Sequence, residues 1–104
     1  MSQADAATKT KIKINESIKE PSLFRVIYLN DNQTTMQFVV DSLIEFFDYN
    51  TETALKLTGD IHEQGQAVVA VLPFEIAEQK GSEVLHSARV QNFPLQIKIE
   101  PDAV

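Results

Sequence analysis

The chain has 104 residues, 43% of them hydrophobic and 23% charged, with three Gly, four Pro, no Cys and a formal net charge of −6 at pH 7. That length and balance describe one globular domain and exclude a disordered or fibrous chain, a disulfide scaffold and a thiolate metal centre. No run of about 18 apolar residues exists and the N-terminus lacks a charged-then-apolar export signal, so neither a membrane span nor secretion is expected, and the cytoplasm is the expected compartment.

Charge is unevenly spread. Residues 1–22 hold Lys9, Lys11, Lys13 and Lys19 against Asp5, Glu16 and Glu20, a net of +1, whereas residues 23–104 hold five bases and twelve acids, a net of −7. So acidic a domain repels phosphates, which argues against nucleic acid and anionic membrane as partners and favours cationic ligands. Residues 1–22 are too polar to offset an ordering entropy of about 1–2 kcal/mol per residue and are expected to form a flexible extension ahead of a folded domain over residues 23–104. Ile12, Ile14 and Ile18 are its exceptions, able to dock transiently on a partner.

"LFRVIYLN" is rich in β-branched and aromatic residues and reads as a strand. Six polar residues follow, Asn30 to Thr35, without the Gly or Pro usual in a connector. Met36, Val39, Val40, Leu43, Phe46 and Phe47 then form one helical stripe, and Thr34 followed by Gln37 resembles a capping box at its start. The next helix has Asn50 or Thr51 as its cap, Ala54, Leu57 and Ile61 as its buried line, and Gly65 as its stop. "QAVVAVLP" is nearly all apolar and is expected to be a central strand buried on part of both faces. Pro73 ends it and opens a third helix whose inner stripe is Ile76, Ala77, Val84, Leu85 and Ala88, with Gly81 letting the helix lie close to the sheet. "LQIKIE" alternates, with Leu95, Ile97 and Ile99 on one face. The order β-α-α-β-α-β describes a small single α+β domain, a three-stranded antiparallel sheet packed against three helices.

No catalytic constellation is present. "HEQGQ" lacks the second His of a zinc protease helix, His86 stands alone on another helix, and no phosphate-cradling Gly-rich loop or nucleophile elbow occurs, so neither an enzyme nor a metal or other cofactor is expected. What remains is the polar loop. Asn30, Asp31 and Asn32 leave the first strand together, and His62 lies near the end of the second helix. Docking that helix end beside the strand end would gather amide oxygens, a carboxylate and an imidazole around a cation. The same residues also suit an Asx-rich turn that satisfies its own backbone, with a surface His nearby.

Residues 22–100 resemble the ClpS adaptor family, which recognises N-end-rule substrates and hands them to a Clp-type AAA+ unfoldase. The likeness runs through "FRVIYLNDNQTTMQFVVDSLIEFF", "DIHEQGQAVVAV", "EIAEQK" and "FPLQIKIE" in collinear order. It implies that Asn30, Asp31, Asn32 and His62 surround the α-amino group of an N-degron, and that Met36, Val39, Thr58, Ile61 and Leu95 line the pocket for its first side chain, expected to be Leu, Phe, Tyr or Trp. Met36 matches the family methionine that screens out β-branched residues. Glu75 and Lys80 match positions contacting the N-terminal domain of the unfoldase (ClpA or ClpC), and residues 1–22 match the extension used in delivery by a monomeric adaptor.

Three positions depart from the family pattern. Asn32 replaces a second Asp, Thr35 replaces a proline, and Thr58 stands where relatives often carry Met, which implies a roomier and more polar pocket wall. The first and last of these leave a second reading open, a ClpS-like regulator that binds the unfoldase without reading N-termini.

Overall fold

A computed structural model describes residues 22–102. The extension expected over residues 1–22 lies, Ser22 apart, outside the described residues. The elements are β1 (Leu23–Leu29), α1 (Met36–Phe47), α2 (Thr51–Gln64), β2 (Gln66–Pro73), α3 (Phe74–Val90) and β3 (Gln96–Pro101). This is the expected order and the expected α+β class.

The sheet order is β2-β1-β3 with both pairs antiparallel. Here the expectation for "QAVVAVLP" is corrected: β1 is central and β2 is an edge strand. Val69 of β2 is buried, but Val68 and Val71 are 38% and 41% exposed. A run of Val and Ala reads as buried on both faces because single-sequence hydropathy does not record which strand lies in the middle. β1 holds the centre through Val26, Ile27 and Tyr28, all buried.

Val26 and Tyr28 share a core with Phe38, Val39 and Leu43 of α1, Ala54 and Ile61 of α2, and Ala77, Val84 and Ala88 of α3. Among the described residues the buried polar side chains, Ser42 and Thr58, are satisfied. Ser42 Oγ donates to the Val39 carbonyl at 2.8 Å, so its lone pair receives the Tyr28 hydroxyl, also at 2.8 Å. That chain fixes α1 against the central strand, and burial pushes the Tyr28 phenol far above its ordinary pKa.

Caps follow local chemistry, with one correction. The α1 cap is Thr35, whose Oγ1 accepts from Phe38 N at 3.0 Å; Thr34 instead donates its hydroxyl to Asp31, and Gln37 reaches Asp41. Two adjacent threonines look alike as caps in sequence, and the pull of Asp31 on Thr34 decides between them. In α2, Asn50 Oδ1 accepts from Thr53 N at 2.8 Å, and Gly65 closes the helix at φ 88° with its N–H on the Ile61 carbonyl. The α3 stripe is Ala77, Gly81, Val84 and Ala88, with Leu85 half-buried; Ile76, expected inside, is 42% exposed. A Cβ at Gly81 would sit 3.6 Å from Ile99 Cδ1 and 3.9 Å from Ile97 Cγ2, so the helix does lie close to β3, yet a methyl group would fit.

Candidate ligand site at one end of the sheet

The strand register determines where the polar loop goes. Leu29 pairs with Gln66 on one side and Gln96 on the other. Asn30, Gly65 and Leu95, each one residue beyond that row, therefore leave the same end of the sheet. Asn30 N donates to the Gly65 carbonyl at 2.9 Å, docking the start of the loop on the end of α2, where His62 occupies the last turn.

Within the loop, Asp31 organises the backbone. Its Oδ1 accepts from Gln33 N at 2.8 Å and Thr34 N at 2.6 Å, and its Oδ2 accepts from Thr34 Oγ1 at 2.8 Å. Burial on its own would raise the carboxyl, but those three bonds and the nearby Arg89 charge together hold it below the usual carboxylate range. A carboxylate has about four lone-pair positions, so one on Oδ2 stays open. Asn30 and Asn32 are exposed, and their carboxamides have no hydrogen-bond partner among the described residues. His62 is exposed as well. The residues singled out from the sequence thus divide: Asp31 builds the turn, while Asn30, Asn32 and His62 present polar groups to solvent.

The residues expected to line the pocket differ in exposure. Val39, Ile61 and Leu95 are buried members of the core, Thr58 is 3% exposed, and Met36, the first residue of α1, is 50% exposed. Thr58 Oγ1 donates to the Ala54 carbonyl at 2.8 Å. That bond uses the hydroxyl proton inside its own helix.

One residue that the sequence did not single out belongs to this end. Arg89, in the last turn of α3, donates from NH1 to the Phe93 carbonyl and from NH2 to the Leu95 carbonyl, both at 2.8 Å. Its fork braces the turn that delivers Leu95, and its charge faces Asp31. A base in a last helical turn ahead of "QNFP" was the available signal.

Glu75 and Lys80 lie apart from this site, on α3. Glu75 is exposed in the first turn; Lys80 is half-buried, with Nζ on the Phe46 carbonyl at 2.9 Å and 6.0 Å from the centre of the Phe47 ring. Among the described residues no group of three or more His, Asp or Glu could hold a metal ion, and no helix is long and apolar enough to cross a membrane.

Comparison with known proteins identifies the family. The sequence model for the ATP-dependent Clp protease adaptor protein ClpS matches residues 19–98. The ATP-dependent Clp protease adapter protein ClpS of Campylobacter jejuni is 37% identical over 94 residues, which cover 90% of this chain and 98% of the relative. That of Hyphomonas neptunium is 41% identical over 98 residues, covering 94% of this chain and 80% of the relative. Among solved structures, Agrobacterium tumefaciens ClpS2 bound to L-phenylalaninamide is similar with a TM-score of 0.77 and 34% identity, covering 80% of this chain and 100% of the other. With a family match across most of its length, relatives matched over 80–98% of their own length and the fold of a solved ClpS2, this chain belongs to the ClpS family of Clp protease adaptors.

Proposed function

We propose that this adaptor binds N-degron peptides, a free α-amino group followed by Leu, Phe, Tyr or Trp, and delivers them from the cytoplasm to the N-terminal domain of a ClpA- or ClpC-type unfoldase. Asn30, Asn32 and His62 accept the ammonium hydrogens, with the open lone pair of Asp31 behind them, and Met36, Val39, Thr58, Ile61 and Leu95 enclose the first side chain. Glu75 and Lys80 meet the unfoldase, and residues 1–22 act as the delivery extension.

The observation that supports the reading most is the Asn30–Gly65 hydrogen bond, which docks the start of the polar loop on the end of α2, one turn from His62. The ligand of the related ClpS2 is an aromatic residue with a free amino group, which supports the same ligand class here. An ammonium offers three donors and no acceptor, so a cluster of acceptors is its complement. Charge-assisted hydrogen bonds contribute about 1.5–3 kcal/mol each, and burying a Phe or Leu side chain about as much. After ordering costs this corresponds to roughly micromolar binding, about −8 kcal/mol.

A second reading, a regulator of the unfoldase that does not read N-termini, draws on the commitment of Asp31 to its own turn and on the uncharged Asn32. Titration with a labelled Phe-initiated peptide and its acetylated twin separates them. Binding of the free peptide alone supports the adaptor; equal or absent binding of both overturns it and favours the regulator.

A further inference from the structure

The seam between α1 and α3 is hollowed into a groove unrelated to the loop end's acceptors. Two adjoining hollows of about 220 Å³ and 530 Å³ form it, sharing Phe46, Ser87 and Gln91. Its charge has one sign: Asp41, Glu45 and Glu83 line it and no Lys or Arg does. Among the described residues none of the three carboxylates is in an ion pair; Asp41 and Glu83 accept only from the amides of Gln37 and Gln79. Phe46 and Val90 supply apolar surface, and Val90 is 68% exposed.

A segment of matching chemistry lies in the same chain. In "KTKIKI", residues 9–14, Lys9, Lys11 and Lys13 alternate with Thr10, Ile12 and Ile14. In an extended conformation that pattern gives one cationic edge and one largely apolar edge. From Lys9 to Lys19 the chain carries four Lys and one Glu, a net of +3 opposite three carboxylates. Reach is sufficient. Ser22 adjoins Phe74 and Glu75 at the start of α3. The eight residues back to Ile14 extend up to about 26 Å, while Glu83 to Val90 lie about 12–22 Å along α3 from Glu75 by helical rise. Two other exposed apolar strips are poorer fits for lysines: Val68 and Val71 on β2, because Arg25 pairs with Val71 across the strands, and Phe24, Phe74 and Ile76 beside Ser22, whose hollow is lined by a single carboxylate, Glu75.

We propose that residues 9–14 dock in the α1–α3 groove, with Ile12 and Ile14 on Phe46 and Val90 and the lysines facing Asp41, Glu45 and Glu83. The adaptor then holds its own extension on its core until a competing surface draws it away.

The full-length chain contains no cysteine, so Asn15→Cys gives a unique attachment point for a nitroxide. The expected result is paramagnetic broadening of the Glu83, His86, Ser87 and Val90 amides, lost in the Glu45→Lys/Glu83→Lys background. The unaltered core supplies a second arm: broadening should also be lost as salt rises from about 20 mM to about 500 mM, where the screening length falls from about 20 Å to about 4 Å. Broadening centred on Val68 and Val71, broadening spread evenly over the surface, or groove broadening that survives high salt overturns the proposal.

Discussion

The backbone N–H of Asn30 and the carbonyl of Gly65 meet at 2.9 Å, so two segments separated by more than thirty residues share one hydrogen bond at the mouth of the candidate site. Gly65 reaches that position at φ 88°, a conformation that L side chains avoid. The two buried or boundary glycines should therefore respond oppositely to alanine. Gly65→Ala should destabilise the protein by about 1–2 kcal/mol and weaken peptide binding. Gly81→Ala, where the added methyl meets Ile99 at 3.6 Å, should stabilise it by about 0.4–1 kcal/mol with binding unchanged. Urea denaturation of both variants checks the pair of signs.

Met36, the first residue of α1, is half-exposed and is proposed to edge the pocket for the first side chain. Phe-, Leu-, Tyr- and Trp-initiated peptides should bind at least about tenfold tighter than Ile- or Val-initiated ones, a gap of about 1.4 kcal/mol. Met36→Ala should narrow that gap by admitting a branched Cβ. Equal affinity of Ile and Phe peptides for the unaltered protein would show that the pocket is wrongly assigned.

Asn32 is exposed and its carboxamide has no partner among the described residues, so replacing it with a carboxylate disturbs little. Asn32→Asp should tighten binding of a free N-terminus about two- to fivefold, the scale of a solvent-exposed ion pair of up to about 1 kcal/mol. The gain should shrink with salt and be absent for an acetylated peptide. Weaker binding by the variant would mean that the Asn32 amide donates to the ligand.

Affinity should fall as pH rises through the range where the peptide α-amino group loses its proton, near ~7.7–8.0 for free peptides. Asp31 should cause no loss at mildly acid pH. Its carboxyl is held below the ordinary value of 3.8, so the stability it gives the loop is fully present above that value and is lost only as pH falls through its lower folded value. His62→Ala should weaken binding of a free N-terminus about tenfold by removing one acceptor, the scale of a hydrogen bond to a charged group of about 1.5 kcal/mol. Unchanged affinity in a peptide titration would remove the imidazole from the site.

Arg89 offers a separate handle on the wall. Arg89→Gln should lose both carbonyl contacts and cost about 1–2 kcal/mol, discounted for the partial exposure of the pair. Binding of Phe-initiated peptide should weaken through the loosened Leu95. Stability and affinity measured on the same sample check this, and intact affinity would separate the 91–95 turn from ligand recognition.

Where the sequence was legible, the reason was local. All six elements follow from periodicity and from caps such as Asn50 and Gly65, whose chemistry lies within three or four residues. Long-range relations were less accessible. "QAVVAVLP" does not reveal that Leu29 pairs on both sides and so claims the centre of the sheet, and Thr34 looks like a cap until the Asp31 carboxylate takes its hydroxyl. The loop residues were readable as a polar cluster, but the division of labour within it was not. That Asp31 is engaged by its own turn, and that Arg89 braces Leu95, depends on contacts that hydropathy and spacing do not encode.

The row Gln66–Leu29–Gln96 has a consequence for folding. The loop after β1, the end of α2 and the approach to β3 are brought together at that row, where Leu29 pairs with partners 37 and 67 residues further along the chain. No fragment containing one hairpin or one helix includes all three, so the site has no local precursor. It arises when both strand pairs close, and losing either pair erases it. Ligand binding should therefore be linked to global unfolding rather than to the fraying of a loop. At a hundredfold excess of peptide over its dissociation constant the whole transition should shift by about 2.7 kcal/mol. The slowest-exchanging amides of β1 should gain protection together with those of the loop, making the adaptor's fold and its occupancy a single cooperative unit.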